Sequence, residues 1–318
     1  MFGNLLTLLI VVAAAGLFGW LAWRAWRAPQ PVVKWGGAAL GGLLALALGL
    51  VSGLALVGLV KSITPQSVAA RDLQVAGTPE QIARGEHLAT TFCASCHSTT
   101  NTLPLTGGVD LGRDFPLPLG SFWTVNLTPA GPLKDWTDGQ IFNAIRNGVD
   151  PAGRGLFVMS NVRGRHLSDA DIEAVIAYLR SQPAAGAPTP EPPDQPSFLG
   201  LVMRGAGLLP DSAPPTTAAV TAPAKAPTAE FGAYILSYQD CRDCHGEDLS
   251  GGVEGQLAPI GPSLYLVKGW TRGQFIDTLR TGVDPSGHEL SSQMPWRNIG
   301  RMDDDELTAV YEYLLSLP

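Results

Sequence analysis

The chain repeats itself. Cys93-Ala94-Ser95-Cys96-His97 recurs as Cys241-Arg242-Asp243-Cys244-His245, and Trp136-Thr137-Asp138-Gly139-Gln140 recurs as Trp270-Thr271-Arg272-Gly273-Gln274. Arg146-Asn147-Gly148-Val149-Asp150-Pro151 returns as Arg280-Thr281-Gly282-Val283-Asp284-Pro285, and Val175, Tyr178 and Leu179 match Val310, Tyr313 and Leu314. Agreement in several separated blocks is the mark of duplication, so both copies should share one fold. The copies occupy residues 78–182 and 229–318. The segment between them, 183–228, is rich in Pro, Ala and Thr, which favours extended linker. An apolar island at 197–209 interrupts it and could pack as a short helix on a domain or on a membrane surface.

Helix signals dominate both copies. Thr78 is a predicted N-cap, with Pro79 at the first helical position and Gln81 completing a capping box. Thr137 with Gln140 and Thr271 with Gln274 predict two more boxes, closed by Gly148 and Gly282. Ser168 and Asp303 open the final helix of each copy. No long alternating strand pattern is present. The expected fold class is all-α, with long irregular loops.

Upstream of the repeats lie two uncharged apolar runs, residues 5–23 and 36–60. A spanning helix needs about 20 such residues, so residues 1–61 read as a transmembrane helical hairpin. A secretory signal is the weaker reading, because no basic residue precedes the first run. The connecting loop carries Arg24, Arg27 and Lys34, which places it in the cytoplasm and everything after residue 60 on the opposite face. Trp20, Trp23, Trp26 and Trp35 flank it as an interfacial belt. Gly37 with Gly41 and Gly49 with Gly53 have the small-residue spacing that lets helices approach closely. The hairpin has no internal acid or His, which suits an anchor better than a transport path.

Charge divides along the same line. The formal net charge is −7, but residues 1–61 hold four basic residues and no acid, so the other 17 basic and 28 acidic residues leave 62–318 at −11. An acidic body is a poor nucleic-acid binder and expects a basic docking face on a soluble partner.

The four cysteines are too few for a disulfide scaffold, and all lie in the two Cys-x-x-Cys-His motifs. That motif marks covalent haem c attachment: two thioethers tether the cofactor and the next residue supplies an axial His. A zinc site would have to join both motifs, and a redox dithiol would want a βαβ context that is missing. Two covalently attached haem c groups are therefore expected, with iron ligands His97 and His245. Met159 and Met294 align on the terminal helices and are the candidate sixth ligands, since His/Met ligation raises the potential of electron-transfer haems. Met302 aligns with Leu167 and reads as core. His166 and His288 are alternative ligands, and His87 reads as surface. The carbonyl of Pro259 or Pro262 could orient the second axial His. Arg146 and Arg280, which recur, and Arg113 could neutralise haem propionates, with a salt-bridge role equally open.

These residues resemble class I c-type cytochromes, in particular the cytochrome subunits of membrane-bound bacterial dehydrogenases. The resemblance rests on Ala83-Arg84-Gly85-Glu86-His87-Leu88-Ala89 before Cys93, on Asn126-Leu127-Thr128-Pro129, on Trp136-Thr137-Asp138, and on Leu167-Ser168-Asp169-Ala170-Asp171 before Tyr178-Leu179. It covers both haem domains and not the anchor. Those subunits commonly have three haem domains, whereas this chain has two, and Met159-Ser160 departs from the Met-Pro pattern that Met294-Pro295 keeps. An anchor with two haem domains also resembles the dihaem subunit of certain haem–copper oxidases. With the apolar hairpin and its basic loop, the resemblance implies a non-enzymatic, membrane-anchored dihaem cytochrome with its haem domains on the periplasmic face. Such a chain would relay electrons in a respiratory or photosynthetic complex. Its partners would be the other subunits, a redox donor and acceptor, and membrane lipid, with no nucleic acid. The electron-accepting subunit of a periplasmic dehydrogenase is the alternative, and a dihaem peroxidase a further one.

Overall fold

The structure, a computed structural model, describes residues 2–318; Met1, the first residue of the expected anchor, lies outside the described residues. The chain forms two compact units. The first is built from the N-terminal stretch through Pro65 together with residues 117–121 and 194–211. Its helices α1 (Phe2–Trp26) and α2 (Ala38–Ile63) pack on each other, with a π-helical turn, Val33–Gly37, leading into α2. Both are long and apolar enough to cross a membrane.

Small residues set the α1–α2 approach. A methyl group added at Gly41 would lie 3.1 Å from the Phe18 carbonyl oxygen and the Ala22 nitrogen, and one at Gly37 would lie 2.9 Å from the Ala25 Cβ. Gly49 and Gly53, of matching spacing, face open space instead. At the loop end the Arg27 guanidinium lies 3.8 Å over the Trp23 ring, Arg24 is stationed over Trp20 and Lys34 over Trp26, while Trp26 and Trp35 meet edge to face.

The second unit holds both copies of the repeat. In the first copy a helical stretch runs from α3 (Pro79–Leu88) through a π-helical turn, Ala89–Cys93, into α4 (Ala94–His97); α5 (Asp138–Asn147) and α6 (Asp169–Ser181) follow. Past the inserted α7 (Phe198–Gly205), which belongs to the first unit, the second copy runs α8 (Ala229–Tyr238), α9 (Cys241–His245), α10 (Arg272–Thr281), α11 (Trp296–Ile299) and α12 (Asp304–Ser316). The described residues hold one small sheet, Gly120–Phe122 (β1) paired with Asp194–Pro196 (β2). The expected capping boxes at Thr78, Thr137 and Thr271 are formed, as is one at Asp303, and Gly148 (φ 61°) and Gly282 (φ 76°) end their helices in the left-handed conformation that glycine adopts without strain.

One crossing organises each copy. α3 packs on α6 and α8 on α12. A methyl group at Gly85 would sit 1.9 Å from the Ala174 carbonyl oxygen, and one at Gly232 would sit 1.9 Å from that of Ala309. Tyr178 and Tyr313 flank the same contacts. Leu88, Ile172, Ile176 and Tyr178 close the first crossing, and Ile235, Leu236, Leu307 and Val310 the second. Leu167 and Met302 occupy equivalent buried positions, as their alignment predicts.

The copies are not independent beads. Their apolar residues form one continuous core, and Phe92 meets Tyr238 edge to face. Polar pairs cross the same junction. Arg84 bonds Asp171 within its own copy (2.8 Å) and Glu306 of the other (3.0 Å), and Glu306, 1% exposed, also bonds His87 (2.6 Å). The Tyr234 hydroxyl donates to Asp171 and accepts from the Ser168 N–H, while Asn298 donates to the carbonyls of Thr90 and Asn101. His87 is thus an interface residue rather than a surface one.

The segment 183–228 also departs from an extended linker. The Asn126 amide donates to the carbonyls of Ala185 and Ala187, Thr216 N–H donates to Asn147, and Val220 exchanges hydrogen bonds with Asp169. Lys225 pairs with Asp303. Proline removes the chain's ability to build its own ladders, but its free carbonyls and remaining N–H groups are met by side chains of the folded body.

Burial would raise the Glu306 carboxyl, but the hydrogen bond and charge of His87 and the charge of Lys225 hold it below its ordinary 4.5. Removing one member of a buried ionic cluster costs about 3–5 kcal/mol. Glu306→Ala is expected to lose that much in denaturant unfolding near neutrality. A depressed carboxylate stabilises above its unfolded value, and that contribution disappears as pH falls below 4.5 through the lower folded value. Wild type and variant should therefore converge in stability in acid, and a gap that stays constant there would refute the cluster.

Candidate haem sites

Each Cys-x-x-Cys-His motif occupies one helical turn, in α4 with the preceding residue Cys93 and in α9. Positions i and i+3 share a face, so both cysteines of a pair lie to one side, and the His follows on the same turn. Burial pushes the Cys93 and Cys241 thiols up to about 12 and Cys96 to about 11, and raises Cys244. Redox-active dithiols are depressed instead, so these thiols lack that mark of an exchange centre. Among the described residues no group of three or more His, Cys, Asp or Glu side chains gathers to hold a metal.

The motif histidines are oriented from behind. His97 Nδ1 donates to the Val125 carbonyl at 2.9 Å and His245 Nδ1 to the Pro262 carbonyl at 2.6 Å. A carbonyl only accepts, so the proton sits on Nδ1 and Nε2 keeps its lone pair for a metal. Burial lowers the His97 pKa, against the Val125 bond, which favours the neutral ligating form. Gly261 forms the wall behind His245: a methyl group there would lie 2.7 Å from Nδ1. Two sheltered thiols one turn apart, beside an imidazole with a free Nε2, fit a covalently attached haem in both copies.

The two methionines hang on equivalent loops. Leu156 N–H donates to the Gly148 carbonyl and Leu290 N–H to the Gly282 carbonyl, both at 2.7 Å, and matching bridges join Val149 to Gly155 and Val283 to Glu289. From these anchors the chain reaches Met159 and Met294, both half-buried, with Met294 packed on the core.

Arg146 and Arg280 both form salt bridges, the role left equally open for them. Arg146 is fully buried and bonds Asp169 (2.7 Å) and the Arg165 carbonyl; Arg280 pairs with Asp304. Asp169 and Asp304 are the first residues of the final helices α6 and α12, so the recurring arginines tie the end of one helix to the start of another in both copies. Arg113 is exposed beside Asp110. His166 lies in a short 3-10 turn, its pKa lowered by burial and by Arg165, Arg163 and Arg146, and His288 is exposed on a loop whose N–H donates to Asp284.

The motifs approach each other at the junction of the copies. Asp240, next to Cys241, accepts from the Arg163 N–H at 2.9 Å and contributes to raising the Cys96 thiol. Burial pushes the Asp240 carboxyl itself up to about 7, against that bond and the Arg163 charge. Arg163 also bonds Asp243 and Glu247.

Comparison with known proteins agrees with this geometry. Residues 80–179 match the family Cytochrome C oxidase, cbb3-type, subunit III, and residues 229–318 match the family Cytochrome c. The chain therefore carries two cytochrome c domains and, with its two attachment motifs, is a dihaem c-type cytochrome. It is 25% identical over 270 residues to the gluconate 2-dehydrogenase cytochrome c subunit of Pantoea cypripedii, covering 74% of this chain and 59% of that protein. It is 24% identical over 269 residues to the cytochrome c subunit of the quinone alcohol dehydrogenase of Gluconobacter oxydans, covering 74% and 55%. The fructose dehydrogenase cytochrome subunit of Gluconobacter japonicus is 26% identical over 256 residues, covering 73% and 48%. The chain thus spans about half the length of these relatives.

Replacing Cys241 and Cys244 together by Ala is expected to leave one covalent haem per chain. A pyridine haemochrome assay still reporting two would refute the attachment sites.

Proposed function

We propose that this protein is a membrane-anchored dihaem cytochrome c that relays electrons as a subunit of a membrane electron-transport complex. The observation that carries this reading is the repeated back-side hold on His97 and His245 by the Val125 and Pro262 carbonyls. It holds Nδ1 of each imidazole as the donor and fixes the ring's orientation, so the ligand need not reorganise when charge at the site changes. Haem, when bound, supplies a one-electron iron couple.

The chain's own residues do the rest. Cys93, Cys96, Cys241 and Cys244 would hold the cofactors covalently, with His97, His245, Met159 and Met294 as the iron ligands. Buried Leu88, Phe142, Tyr238 and Leu279 belong to the shared apolar core that excludes water from the domains. The contact of Phe92 with Tyr238, each a few residues before its motif, supports transfer between the two sites inside one chain. The hairpin would hold this body at a cytoplasmic membrane, and the Arg24, Arg27 and Lys34 loop supports haem domains on the periplasmic face.

A second reading narrows the partner. The relatives are named as cytochrome subunits of gluconate, alcohol and fructose dehydrogenases, which favours the electron-accepting subunit of such an enzyme. The match of residues 80–179 to an oxidase subunit family favours a terminal-oxidase complex. Purification in mild detergent with mass-spectrometric identification of copurifying subunits decides between them. Recovery of a monomeric, freely soluble chain would overturn both.

The axial methionines are tested directly. Met294→Ala is expected to keep both haems attached while lowering the midpoint potential of one, because loss of the thioether removes the ligand that raises it. A redox titration indistinguishable from wild type would remove Met294 from the ligand set.

A further inference from the structure

The apolar island between the two cytochrome domains folds into α7, and α7 packs on α2 within the first unit. The contact is reciprocal and close. A methyl group at Gly58 would lie 1.9 Å from the Leu201 carbonyl oxygen, and one at Gly205 would lie 1.9 Å from the Leu54 carbonyl oxygen. Backbones that approach this closely through small residues make a helix crossing of the type membrane proteins use.

The position of the crossing matters more than its closeness. Gly58 and Leu54 precede Lys61, the charged residue that ends the apolar run, by three and seven residues. At ~1.5 Å per residue the crossing lies roughly 5–10 Å inward from Lys61. That is the depth, about 5–10 Å, at which amphipathic helices rest at the headgroup–acyl boundary.

Both ends of the segment are tied near the same level. Asn4, in the first turn of α1, donates to the Pro196 carbonyl (2.6 Å), and Lys61 pairs with Asp211 (3.2 Å). Between these ties both helix ends are capped: the Ser197 hydroxyl accepts from the Gly200 N–H, and the N–H groups of Ala206, Gly207 and Leu208 bond back into the last turn. Leu201 is buried, while Leu199 (40% exposed) and Leu208 (68% exposed) remain uncovered. The single charge, Arg204, interacts with Asp194 and Asp211 at the two ends of the segment.

We propose that α7 is a third membrane element, an interfacial helix lying at the headgroup–acyl boundary of the outer leaflet, with Leu199 and Leu208 in lipid and Gly205 seated on α2. The proposal rests on the anchor reading of α1 and α2. It gives the chain two membrane attachments, one before the first cytochrome domain and one between the two.

The test uses the full-length holoprotein in phosphatidylcholine nanodiscs that contain lipids bearing a photoactivatable diazirine. The diazirine is placed either near the headgroup or at the acyl terminus, and labelled peptides are mapped by mass spectrometry. Label is expected on α1 and α2 from both probes and on 198–209 mainly from the headgroup-proximal probe. Label on α1 and α2 with none on 198–209 would overturn the proposal while leaving the anchor standing. No label on any of the three would overturn the anchor reading and the proposal with it. Gly205→Leu is expected to cause a several-fold loss of label on 198–209 with haem content and hairpin labelling unchanged. Undiminished label there would show that the glycine contact does not hold α7.

Discussion

The close crossing of α3 on α6, and of α8 on α12, is the constraint on which the rest of each cytochrome domain depends. A hydrogen in place of a side chain at Gly85 and Gly232 lets a carbonyl of the partner helix approach to contact distance. With the crossing fixed, the attachment motif follows at the end of one helix and the methionine loop leads into the other. Any larger side chain at these glycines would separate the helices and move both halves of the haem pocket relative to each other. The arginine–aspartate pairs, Arg146 with Asp169 and Arg280 with Asp304, brace the same geometry from the start of the final helices.

Joining two such domains through one core changes what the intervening segment does. A proline-rich stretch between folded modules usually sets how far one can wander from the other. Here the domains are held by Glu306, Arg84, His87 and the aromatic contact of Phe92 with Tyr238, so the segment instead runs along the folded body and supplies Lys225 to the same charged cluster. Burying a carboxylate such as Glu306 is unfavourable unless every partner is present, and this makes the cluster a marker of register between the copies as much as a source of stability.

Local chemistry was legible in the sequence, and long-range contact was not. Thr78, Thr137, Thr271 and Ser168 act as caps because a hydroxyl before a helical run has one favourable job, and Gly148 and Gly282 close their helices for an equally local reason. The attachment motifs were legible because their spacing encodes the chemistry. Gly85 and Gly232 carried no such signal, since their role depends on residues about 80 positions away. Val125 acts through its backbone carbonyl, which no side chain advertises, whereas Pro262 could be anticipated by its position after the motif. The recurrence of Arg146 and Arg280 correctly marked a shared environment, but recurrence does not say which acid completes it. His87 gave a surface pattern because its partner, Glu306, is over 200 residues further on.

The junction between the copies is not symmetric in its dependence. Arg84 and Asp171 neutralise each other inside the first domain, so that half of the interface has its charges matched before the other exists. Glu306 accepts from the Asp303 N–H in its own domain, but its counter-charges lie outside it: Arg84 and His87 belong to the first copy and Lys225 to the segment leading out of it. A ribosome delivers the chain in that same order. The domain made first presents a half-interface with its ion pair already closed, and the domain made second finds the counter-charges for its buried carboxylate waiting in place.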